Sequence, residues 1–215
     1  MKTNPWLWPL LLMVVSIAYA SEGTVSNADI ADFIGDNHFV SRLDADINGD
    51  NVTDTIIVTA NDDAILFKVS VLEGVRGKVI GSDGDEKTAF KNLDSMELEL
   101  SPLGPPALSI KKGVLIIDHD CGGTTVRTVT TYRYRFDREQ DAMRLIGIDS
   151  ERVGGSSAVN ISWNLLNGAR IIKHGQMRSY GPGTRDIHKV GFIKMSQTRA
   201  PDDIIDEAIG DNTTP

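Results

Sequence analysis

Apolar and polar positions alternate with a period of two along most of this chain. The clearest instance is residues 124 to 136. Val126, Thr128, Thr130, Tyr132, Tyr134 and Phe136 fall on one face, and Arg127, Val129, Thr131, Arg133 and Arg135 on the other. Shorter runs of the same kind predict strands over His38 to Leu43, Asp54 to Ala60, Ala64 to Leu72, Gly113 to Asp118, Met143 to Ile148, Ala158 to Trp163 and Ala169 to Lys173. Met96, Leu98 and Leu100 alternate with Glu97 and Glu99 as in a half-exposed strand, and Val190 to Met195 reads as the last strand. Residues 74 to 95 are weakly patterned, as in a loop region or a ragged hairpin. Pro102 to Pro106 breaks the pattern, and Gly122-Gly123 and Asn167-Gly168 mark turns.

Helical signals are confined to the ends. Ser26 or Asn27 would cap a short helix through Ile34 that Gly35 stops, and Pro201 to Ile209 predicts a second one. No repeat of fixed period is present, which excludes a propeller built from repeated calcium motifs. The expected fold is therefore all-β: a single antiparallel propeller-like or barrel-like sheet domain over residues 21–215, with short peripheral helices and an ordered core at about 36–197.

The most informative polar stretch is Asp46-Ile47-Asn48-Gly49-Asp50-Asn51-Val52-Thr53-Asp54, which runs directly into Thr55-Ile56-Ile57-Val58-Thr59. Oxygen-bearing side chains occupy its first, third, fifth and ninth positions, with Gly at the fourth. Ca²⁺ takes six to eight oxygens at about 2.3–2.6 Å, and short polar side chains on a tightly turning backbone suit it. Asp46, Asn48, Asp50 and Asp54, with the backbone carbonyl of Val52, are the expected metal ligands. An EF-hand register starting at Asp44 fails, because its twelfth position is Thr55 rather than Glu and a strand follows rather than a helix. The surviving register resembles the calcium loop of FG-GAP/VCBS-type repeats, with Asn51 in place of the usual Gly. Asn tolerates left-handed backbone better than most residues.

Residues 1–20 read as a signal peptide. Lys2 supplies the positive end, Leu7 to Ile17 the apolar core and Ala18-Tyr19-Ala20 the cleavage site, so a periplasmic protein with no membrane segment after cleavage is expected. The formal net charge of −8 argues against nucleic acid and anionic membranes as partners. Cys121 is the one cysteine, so no intramolecular disulfide can form.

Signatures of catalysis are missing: there is no G-x-S-x-G, H-E-x-x-H, P-loop or dinucleotide fingerprint, and His38, His119, His174 and His188 are scattered. A non-enzyme is expected. Asp118-His119-Asp120-Cys121 on a strand would split its side chains between two faces, so one ion would not reach all four. Gly181, Pro182 and Gly183 predict an excursion from the sheet over residues 174 to 188, carrying Ser179, Tyr180 and Arg185 as candidate partner contacts.

Three segments in order, Thr131-Tyr132-Arg133-Tyr134-Arg135-Phe136, Arg144-Leu145-Ile146-Gly147-Ile148 and Val159 to Gly168, resemble a family of bacterial periplasmic proteins. Its members are similar to invertebrate-type lysozyme inhibitors and act as immunity proteins against peptidoglycan-hydrolase effectors of Xanthomonas-type type IV secretion systems. The resemblance implies a calcium-bearing inhibitor that inserts a surface loop into a lysozyme-like hydrolase. The Ser179-Tyr180 loop and the Gly154-Gly155-Ser156-Ser157 loop are both candidates for that insertion. A calcium-dependent cell-surface or glycan-binding module without an enzyme target is the alternative reading.

Overall fold

The computed structural model describes residues 24–61, 66–80, 86–99, 101–176 and 179–198, with positions 203 and 206. The signal segment, the turn at 62–63, Leu100 and most of the predicted helix over 201–209 lie outside the described residues. One helix, α1 (Asn27–Ile34), precedes twelve strands: β1 (His38–Ala45), β2 (Asp54–Asn61), β3 (Leu66–Ile80), β4 (Glu86–Glu99), β5 (Ala107–Lys111) and β6 (Val114–Gly122), then β7 (Val126–Asp137), β8 (Ala142–Gly154), β9 (Ser157–Asn164), β10 (Ala169–Gln176), β11 (Ser179–Tyr180) and β12 (Thr184–Ile187).

All pairings are antiparallel, and they form two sheets. The smaller has the order β1-β2-β3-β4. The larger has the order β11-β10-β9-β8-β7-β6-β5, with β12 also paired to β10. The Pro102–Pro106 break falls where the chain leaves one sheet for the other. An all-β antiparallel sheet domain is thus what the chain forms, and among the described residues no ladder closes the sheets into a barrel.

The two sheets share one core. Ile56, Val58, Val69, Val71, Met96 and Leu98 from the small sheet pack in the same cluster as Leu115, Ile117, Tyr132, Tyr134, Ile148 and Trp163 from the large one. Period-two alternation generates this directly: Thr128, Thr130, Tyr132 and Tyr134 are buried and Arg127 and Arg135 exposed, as the pattern in β7 requires. Helix α1 covers the outer face of the small sheet, where Val25 and Ile30 pack on Ile57 and Leu72. A reciprocal cap starts the helix: the Asp29 amide donates to Ser26 Oγ (3.1 Å) and the Ser26 amide to Asp29 Oδ2 (3.3 Å).

Of the two readings of residues 74 to 95, the ragged hairpin is the one that forms: they belong largely to the β3–β4 pair, whose register shifts absorb the weak pattern. Two segments depart from the sequence reading. Strand β5 was hidden beside the proline break.

Val190 to Met195 is not a strand. It makes a single bridge, Lys194 to Arg144, and ends in a 3-10 turn over Met195–Gln197. Asp94 of β4 explains this by accepting from the Met195 and Ser196 amides (3.2 and 3.1 Å), while the Leu145 amide of β8 donates to Ile193 O (2.9 Å). The segment therefore ties the two sheets together and seats Met195 in the core.

Candidate functional site

The stretch 46–54 folds as a tight loop between β1 and β2, wound around its own side-chain oxygens. Asp46 Oδ1 accepts from the Gly49 and Asp50 amides (2.7 and 3.2 Å), and its Oδ2 accepts from the Asn51 amide (3.0 Å). Asn48 Oδ1 takes the Asp50 amide (3.0 Å) and Asp50 Oδ1 the Val52 amide (2.7 Å). This winding needs left-handed backbone at Gly49 and at Asn51, which have φ of 76° and 64°. Asn51 adopts this backbone at less cost than most non-glycine residues would. Ile47 and Val52 are buried and anchor the loop to the protein.

Asp54 closes the loop at the first position of β2 and is 1 % exposed. Its carboxylate accepts from the Ile47 amide (2.9 Å) and from the Gly74 amide of β3 (3.0 Å). Burial pushes its pKa up to about 6, and the nearby negative charge of Asp50 adds to the rise, against the lowering by those backbone donors. A carboxyl so placed is stabilised by any cation that reaches it.

Side chains from distant positions complete the surroundings. Glu73 Oε1 accepts from Asn48 Nδ2 (2.9 Å), which turns the Asn48 carbonyl oxygen towards the loop interior. Arg76 Nη2 donates to Asp50 O (3.0 Å), and Arg138 Nη2 to Asn48 O and Gly49 O (3.2 and 3.4 Å). These contacts span up to 90 positions in the chain, and no local pattern announces them.

The donors are all oxygen, as Ca²⁺ prefers. Each carboxylate oxygen has two lone pairs, so bonding to amides leaves acceptor capacity. In this conformation Asp46, Asp50 and Asp54 stand apart: among the described residues no three His, Cys, Asp or Glu side chains gather as a metal-holding group.

The candidate partner contacts lie elsewhere, and the excursion predicted for residues 174 to 188 is corrected. β11 and β12 both run antiparallel to β10, with Tyr180 opposite Gly175 and Arg185 opposite Ile171. Gly181, Pro182 and Gly183 form an irregular joint in what is otherwise one edge strand. An edge tolerates proline because the missing N–H faces outward.

Ser179 is exposed. Tyr180 is half-buried and its hydroxyl donates to Glu151, so it is pinned to the sheet rather than held at a loop tip. Burial and that carboxylate raise the Tyr180 pKa to about 12. Arg185 is exposed.

The edge is held by Arg170, which is 2 % exposed. Its guanidinium spans both carboxylate oxygens of Asp186 (2.6 to 3.2 Å) and lies 5.5 Å from the Trp163 ring centre. Trp163 Nε1 donates in turn to His188 O (3.1 Å).

The remaining candidates follow strand parity. His119 and Cys121 point inward and are buried, while Asp118 is exposed on the opposite face. Burial lowers the His119 pKa, and its Nε2 lies 2.9 Å from Glu99 O. On the outer face of β7, Arg127 pairs with Asp120 and Arg133 with Asp149 (2.5 Å), while Arg135 is exposed.

Comparison with protein-family models, curated proteins and solved structures finds no match to this chain. Fold and site together define a two-sheet antiparallel β domain with an oxygen-lined acidic loop at one end and a latched edge strand on the large sheet.

Proposed function

We propose that this protein is a periplasmic inhibitor of a lysozyme-like peptidoglycan hydrolase, an immunity protein of the kind its strand motifs resemble, braced by Ca²⁺ at residues 46–54. The observation that carries the contact surface is a cationic, apolar patch on a chain of net charge −8. Arg185 and Lys173 are exposed and make no ion pair among the described residues. Beside them lies Ile187, 62 % exposed, with the more covered Ile171 directly opposite Arg185.

Glycoside hydrolases work with a pair of carboxylates in a cleft. A guanidinium presented from a paired strand, with an isoleucine beside it, complements such a cleft without a large ordering cost. The contact is thus made by the edge of the sheet around Arg185, with Ser179 and Tyr180 flanking it.

The loop would hold Ca²⁺ through Asp46, Asn48, Asp50, Asp54 and the Val52 carbonyl. Bound there, the ion supplies positive charge to a buried carboxylate and takes no part in inhibition chemistry.

The test is inhibition of lysozyme-type and chitinase-like muramidases by the purified protein. Replacing Arg185 by Glu together with Ile187→Asp should weaken inhibition about 100-fold, the loss typical of a central contact, with an unchanged melting temperature. A wild-type protein that inhibits none of these enzymes sinks the proposal.

A further inference from the structure

The end of the large sheet remote from the acidic loop carries an open cleft of about 1010 Å³. Its floor is two cross-strand pairs on the outer face, Arg127 opposite Val153 and Val129 opposite Glu151. Its walls are the β6–β7 turn, with Thr124 and Thr125, and the glycine-containing β8–β9 turn. Gly154 keeps the two turns in contact, since a Cβ there would meet Val126 Cγ2 at 3.0 Å.

Both charged groups of the floor are held by a second partner. Arg127 uses Nε and Nη2 on Asp120, which leaves about three of its five N–H donors unspent. Glu151 receives the Tyr180 hydroxyl at Oε1 and retains its other oxygen as an acceptor. A ligand therefore meets a donor fork and an acceptor already in position, with little ordering to overcome. Two carboxylates, Asp120 and Glu151, stand against one guanidinium, which disfavours an anionic ligand. Val129 and Val153 offer an apolar floor between the polar groups. The volume lies at the upper end of the range for small-ligand pockets, about 300–1,000 Å³, which leaves room for more than one sugar ring.

We propose that this cleft binds a neutral saccharide. Ring hydroxyls bridge the Arg127 guanidinium and the Glu151 carboxylate, and the C–H face of the ring lies on Val129 and Val153. The cleft and the acidic loop sit at opposite ends of the 12-residue strand β7, roughly 35–40 Å apart at the rise of an extended chain. Saccharide binding is therefore independent of Ca²⁺, and it stands whether or not the protein inhibits a hydrolase.

The experiment is an amide-resonance titration of the full mature chain with tetramers of N-acetylglucosamine, cellulose-type glucose and maltose-type glucose, with and without EGTA. Sialyllactose and tetra-alanine serve as the anionic and peptide probes. A neutral tetramer should shift the amides of Gly123, Thr124, Thr125, Gly154 and Gly155, equally in EGTA. Arg127→Ala and Glu151→Ala should each weaken that binding at least about tenfold while resonance dispersion is retained. The proposal is overturned if no neutral tetramer shifts these amides at about 10 mM, if the shifts fall elsewhere, if binding survives both substitutions, or if only the anionic or peptide probe binds there.

Discussion

Asp54 concentrates more of the protein's local energetics than any other residue of the acidic loop. Its carboxylate joins the loop to β3 through the Ile47 and Gly74 amides, and both bonds are buried. A buried donor left without a partner costs about 1–3 kcal/mol, so Asp54→Ala should destabilise by roughly 2–5 kcal/mol in urea denaturation. Asp46 accepts three amides but is exposed, and water can replace it there. Asp46→Ala should cost only about 1 kcal/mol; a larger loss at Asp46 than at Asp54 would refute this ranking. At this scale the chain was readable where the cause is local. The left-handed turn at Asn51 and the alternation of Thr128 to Tyr134 both follow from neighbours in sequence. Glu73, Arg76 and Arg138 were not readable, because folding alone brings them to the loop.

Among the elements, β12 is latched to β10 by an ion pair. Arg170 and, secondarily, the charge of His188 hold the Asp186 carboxyl below its usual range. A depressed carboxylate contributes stability that is complete above the unfolded value and is lost as pH falls through the folded one. With an unfolded value of about 3.9, acidification below that value should progressively weaken the Arg170–Asp186 pair and loosen the strand. Amide exchange at Thr184 to Ile187, corrected for its intrinsic rate, should accelerate between pH 5 and pH 3 by these arguments. Asp186→Asn should be fast at both values; equal protection in the two proteins across that range would dismiss the latch. The glycines and proline at 181–183 pointed to an excursion because they break local pattern. The pairing with β10 overrode them, since an edge position tolerates both a bulge and a proline. Residues 190–195 went the other way, from expected strand to cross-tie, because Asp94 caps their amides from the opposite sheet.

For the molecule as a whole, the proposed ion links loop chemistry to global stability. Ca²⁺ at a hundredfold over its dissociation constant adds about 2.7 kcal/mol. For a chain of this size that raises the melting temperature by roughly 5–10 °C. Calorimetry of the mature protein with Ca²⁺ and then with EGTA reads this directly, and a melting curve indifferent to both rules the brace out. The β class, most of the strands, the two faces of the strand over 126–137 and the Pro102–Pro106 break were legible in the sequence, because alternation and backbone restrictions act within a few residues. Only the tertiary structure decided how those strands divide into two sheets on one core, that residues 190–197 tie the sheets together, that Tyr180 is pinned by Glu151, and which distant arginines grip the acidic loop. Those outcomes depend on contacts between positions far apart in the chain, whose free energy exists only once the sheets have met.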